Sequence, residues 1–136
     1  MGTEGPGHES EREAPFAALL GIRVGASGDG AGKVTMNIRD EHRQEGGVVQ
    51  GGLIVTLADY AMYQAVKSML EPGQHSVTVE IKVNFTAPAK DGELTATGRV
   101  ISGGRRIIVA EAAVTDDRQT LIAHGLCTSM VVQRRP

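Results

Sequence analysis

Two glycines and one aspartate carry most of the chemistry that this chain can be expected to do. Gly51 and Gly52 follow a polar loop and open the stretch Gln50 to Leu70, QGGLIVTLADYAMYQAVKSML, which then runs without proline or glycine to Glu71-Pro72-Gly73. These are start and stop signals for one long helix. Unpaired N–H groups at such a start, at the positive end of the helix dipole, can hold a developing oxyanion. Asp59 is the only acid on the helix before Glu71 and falls inside an apolar stripe, where a lone charge is costly. An oxyanion holder and a desolvated carboxylate are the parts of an acyl-transfer site. On one helix, at ~1.5 Å per residue, they lie about 12 Å apart, so one carbonyl cannot touch both. Two antiparallel copies of the helix across a twofold axis would bring Gly51 of one against Asp59 of the other. The structural alternative is that the glycines permit close packing and Asp59 is paired for stability.

Other chemistries find less support. His8, His42, His75 and His124 are scattered without ligand spacing, so no metal is expected. There is no G-x-S-x-G elbow. The single cysteine, Cys127, excludes an intrachain disulfide and reads as a small core residue of the last strand. The glycines of Ser27-Gly28-Asp29-Gly30-Ala31-Gly32 precede no helix, so they read as a hairpin and not as a nucleotide loop. A net charge of −2 and a pI near 6.1 give no electrostatic footprint for nucleic acid. No run is long and apolar enough for a membrane, and the acidic, polar start is unlike a signal peptide. A soluble, cytoplasmic protein is the expectation.

The elements that would position these residues follow from periodicity. At 136 residues the chain is expected to form one domain, with a tail at 1–13, a folded unit at 14–132 and a short tail at 133–136. Aromatics are only 3% and tryptophan is absent, so the core must be aliphatic. Pro15 to Leu20 reads as a short helix ending at Gly21, and Ile22–Ala26 and Lys33–Arg39 as strands. After the long helix the period changes to two. Val77, Val79, Ile81, Val83 and Phe85 alternate with Thr78, Glu80, Lys82 and Asn84, and three more strands follow at Glu93–Ile101, Arg105–Thr115 and Thr120–Val131. The expected class is α+β, one antiparallel sheet of about six strands with a long helix after the second. Ile54, Leu57, Ala58, Ala61, Ala65 and Met69 form one apolar stripe on that helix. Val55, Met62, Val66 and Leu70 form a second, which is expected to need a second subunit as its cover.

The order Gln44-x-x-Gly47-x-x-Gln50-Gly51-Gly52, followed by Leu57-Ala58-Asp59, resembles the signature of hotdog-fold acyl-CoA thioesterases of the phenylacetate-pathway type, within the 4-hydroxybenzoyl-CoA thioesterase superfamily. The run Val83-Asn84-Phe85-Thr86-Ala87-Pro88-Ala89 and the turn Gly104-Arg105 match as well, and the likeness covers about residues 15–132. It implies a helix wrapped by a curved sheet, homodimers that pair into tetramers, and hydrolysis of an aryl- or medium-chain acyl-CoA without a cofactor. By position it makes Asp59 the general base or nucleophile and Gly51 the N–H that polarises the thioester carbonyl. Gln44 falls near the attacking water. Gln50 stands where many members have histidine, and its amide can donate a hydrogen bond but cannot carry a proton. Either Thr78 or Tyr63 would orient water. Asn84, Thr86, Gly104, Arg105 and Arg106 would contact CoA, the arginines through its phosphates. Val55, Met62, Tyr63 and Val66 would line the acyl pocket. A non-catalytic acyl-CoA binding or sensing module on the same fold is the competing reading, against which the retained Asp59 weighs. A dehydratase finds no Asp/His pair in the helix region.

Overall fold

The computed structural model describes residues 14–133. Helix α1 (Pro15–Leu20) has proline in its first turn, where no N–H bond is forfeited. It ends at Gly21, whose φ of 76° lets its N–H turn back to the carbonyls of Ala17 and Ala18. Strands β1 (Ile22–Val24) and β2 (Ala31–Asn37) follow. Asp29 and Gly30 between them both have positive φ, as a tight hairpin turn requires. A single 3-10 turn at Asp40–His42 opens the approach loop. The long helix α2 (Gly51–Lys67) is succeeded by β3 (Gln74–Phe85), β4 (Glu93–Gly103), β5 (Ile107–Thr115) and β6 (Leu121–Gln133). Each expected element is present, with its ends moved by a few residues. The tail expected at 1–13 lies outside the described residues. Of 133–136, Gln133 closes β6 and the rest lies outside them.

All six strands form one antiparallel sheet in the order β1-β2-β4-β5-β6-β3. Register shifts between Thr78 and Glu80, Val100 and Ser102, and Val114 and Thr115 bend the strands, so the sheet curls around α2. The helix comes closest at Gly98 and Gly32. A Cβ on Gly98 would sit 2.3 Å from the Ala61 carbonyl oxygen, and one on Gly32 would sit 2.7 Å from the Ala65 nitrogen. Backbone therefore rests directly on backbone, and only glycine allows it. Around this contact Ile22, Val34, Met36, Leu57, Leu94, Val114 and Ile122 are fully buried, and each such side chain contributes roughly 1.5–3 kcal/mol over leaving it exposed.

Two expectations change here. Met62 and Val66 are 0% exposed in the single chain. The curled sheet covers these two residues, so this pair is core and needs no second subunit, while Val55 stays partly exposed. The bulge at Val79 also breaks the simple alternation of β3. Thr78 pairs with the buried Ser129, whereas Val77 pairs with the exposed Met130. Thr78 thus shares the inward row with Ile81, Val83 and Phe85, and Val77 turns outward.

Candidate active site

The approach to α2 is fixed by a buried histidine. The Arg39 N–H donates to Nδ1 of His42 at 2.9 Å. Nε2, 2.9 Å from the Leu20 carbonyl, must therefore carry the hydrogen, since a carbonyl only accepts. This ties the loop to the end of α1. Further on, Gln50 N–H donates to the His42 carbonyl and Val49 N–H to that of Ala89, both at 2.9 Å. Gln44 closes a small turn, its N–H bonded to Val48 and its side-chain oxygen accepting from Gly46 N–H. The chain then enters the helix at Gln50, which is extended at ψ 130° and has an exposed side chain. Leu53 and Ile54 both donate to the Gln50 carbonyl. Among the described residues Gly51 and Gly52 have no acceptor for their N–H groups. Two aligned donors thus open on to solvent at the positive end of a helix of 17 residues.

Asp59 lies two turns further along α2, on the side open to solvent. It makes no ion pair or hydrogen bond among the described residues. Partial burial of its carboxyl against the fold nevertheless pushes its pKa up. The same surroundings raise the Tyr60 phenol, through burial first and the Asp59 charge second. They raise the Cys127 thiol as well, again mainly through burial. Cys127 and Ser129 are both 3% exposed, and their Sγ and Oγ atoms lie 4.0 Å apart on the inward row of β6. Thr78 stands opposite Ser129. The bulge therefore puts Thr78 on the inward row of β3, although the residue itself stays exposed. Ser129 was missed by motif reasoning. The period-two row Ala123, Gly125, Cys127, Ser129 would have marked it as an inward-facing hydroxyl.

The other expected site residues are spread widely. Tyr63, one turn after Asp59, is 40% exposed, whereas Met62 packs over Gly125 and is closed to solvent. Asn84 is exposed on the outer face opposite His124, and the Thr86 hydroxyl donates to the Leu121 carbonyl at 2.5 Å. Gly104, Arg105 and Arg106 line a cleft of about 550 Å³ with Leu70, Glu71, Gln74 and Val131, at the C-terminal end of α2. That end is ~24 Å from Gly51 along the helix axis. One chain thus holds the free helix-start N–H groups, the Asp59 carboxylate and the arginine-lined cleft at three separate stations.

A long helix cradled by a curled six-stranded antiparallel sheet is the hotdog fold. Residues 46–123 match the model of the Thioesterase superfamily. The chain belongs to that family and is a hydrolase acting on thioesters. A Saccharolobus solfataricus protein named as an esterase is 33% identical over 113 residues, 83% of this chain and 75% of its own. The 1,4-dihydroxy-2-naphthoyl-CoA hydrolase of Listeria monocytogenes is 28% identical over 85% of this chain and 94% of its own. Among solved structures, the PaaI protein of the Escherichia coli phenylacetic acid degradation operon superposes with a TM-score of 0.86 at 25% identity, covering 94% of this chain and 91% of that one.

Proposed function

We propose that the protein hydrolyses acyl-CoA thioesters at sites shared between two copies of the chain. The observation that carries this is the separation of the parts. The free Gly51 N–H and the unpaired, desolvated Asp59 lie about 12 Å apart on one rigid helix, too far for one carbonyl, and a twofold partner removes the gap.

The edge strand β3 supports the same arrangement. It is 12 residues long, pairs with β6 on one side only, and leaves Val77 48% and Val79 53% exposed. At the opposite edge β1 has only three residues. A long exposed edge is an invitation to pair, and a twofold axis pairs identical edges antiparallel. The Gln74 end of one β3, with the Arg105–Arg106 cleft beside it, would then lie next to the partner's Phe85 end and helix start. Arg105 and Arg106 of one copy would hold the CoA phosphates, with Gly104, Asn84 and Thr86 flanking the nucleotide and pantetheine path. Gly51 of the other would polarise the carbonyl, with Gln50 as an additional donor. Asp59 would act as base or nucleophile, and Thr78 and Gln44 would orient the attacking water. Pairing of two such dimers completes the reading.

The test is acyl-CoA hydrolysis followed with a thiol-trapping reagent, using mixed dimers. Subunits with Asp59→Asn combined with subunits carrying Gly51→Pro, which lacks the oxyanion N–H, should regain activity that neither parent has. Hybrids that stay inactive while both parents fold and dimerise would sink the shared-site reading. Tight binding of acyl-CoA without turnover by the wild type would favour the binding module instead.

A further inference from the structure

We infer that Phe85 sets the acyl selectivity of this site, an assignment that rests on the thioesterase reading above. Phe85 ends β3 on its inward row, opposite the buried Ala123. It continues the partly buried apolar positions Ile81 and Val83, which pack against the core. Instead of joining that core, its ring turns on to the first residue of α2. A Cβ on Gly51 would lie 3.4 Å from Cζ of Phe85 and 3.6 Å from Cε1. The ring remains 55% exposed. A large apolar side chain is thus held half open beside two N–H donors that lack acceptors.

The consequence for a bound thioester is geometric. A carbonyl oxygen accepting from Gly51 N–H sits at about 2.9 Å from the nitrogen, on the residue that the ring tip borders, which brings the groups bonded to its carbon to the side of Phe85. Because the ring closes an apolar row, it suits the acyl side, while the charged end of CoA is drawn to the basic cleft. A planar, conjugated acyl group can stack offset on the ring, whereas a saturated chain gains area burial alone. One aromatic pair contributes about two- to tenfold.

The experiment compares kcat/KM for benzoyl-CoA and hexanoyl-CoA in the wild type, Phe85→Leu, Phe85→Met and Phe85→Tyr. The two ringless variants should lower the benzoyl-to-hexanoyl ratio about two- to tenfold, mainly through the benzoyl value, and Phe85→Tyr should keep the wild-type ratio. Two ringless variants guard against one that misfolds, with thermal melting as the control. An unchanged ratio, or an equal loss on both substrates as a purely structural or pantetheine contact would give, overturns the assignment and leaves the enzyme reading standing. A wild type that hydrolyses no thioester overturns both.

Discussion

Replacing Asp59 with asparagine separates a catalytic carboxylate from a structural one, because the two predict opposite stability changes. The carboxyl has no ion-pair or hydrogen-bond partner among the described residues, and burial raises its pKa. The folded chain therefore holds this proton more tightly than the unfolded chain does. The cost of the charge is absent in acid and grows as pH rises from the ordinary aspartate value near 3.8 through the raised one. At neutral pH the wild type carries that cost and Asp59→Asn does not, so its melting temperature should equal or exceed that of the wild type. Activity should move the other way. Loss of a positioned base costs about 10²–10⁴-fold, so kcat should fall at least a hundredfold, or about 2.7 kcal/mol at the transition state. The acid limb of wild-type kcat should lie above that of an ordinary exposed aspartate, since only the ionised carboxylate can take a proton or attack. Steady-state hydrolysis across pH and a thermal melt of each protein make the test. An asparagine variant that works within a few-fold of the wild type would remove Asp59 from the chemistry. One that is inactive and also melts well below the wild type would mean that the carboxylate is structural.

Three further outcomes are expected. Alanine at Arg105 and Arg106 should raise KM for acyl-CoA more than it lowers kcat, the signature of lost uniform binding, and a loss confined to kcat would count against phosphate recognition in the cleft. Val79→Asp places a charge on the open edge of β3, so sedimentation should show a monomer and activity should disappear with the dimer. A fully active monomer would refute the shared site. Gly98→Ala drives a methyl group into the Ala61 carbonyl and should cost at least about 1–3 kcal/mol in denaturant unfolding, as overpacking does. A neutral result would mean that α2 does not rest on the sheet as described.

Local signals were enough for the elements, and they singled out the Gly51-Gly52 helix start and Asp59 as the candidates for chemistry. Gly51-Gly52 and Glu71-Pro72-Gly73 bound the helix, and strict alternation marks β3 to β6, because capping and side-chain period are properties of neighbouring residues. Asp59 as the one acid of that helix was likewise visible in one dimension. What needed the folded chain was everything set by distant partners. The pairing of β3 with β6 leaves β3 at the edge. The bulge that sends Thr78 inward is set by its register against Ser129, so alternation alone placed Thr78 on the wrong face. Met62 and Val66 looked like an open stripe, yet the curl of the sheet, produced by bulges on three strand pairs, reaches far enough round α2 to bury them. Phe85 read as one more alternating apolar residue, and only the approach of the β3 end to the start of α2 sets its ring against Gly51. A chain encodes its periods locally, but which faces meet is decided by contacts between residues far apart in sequence.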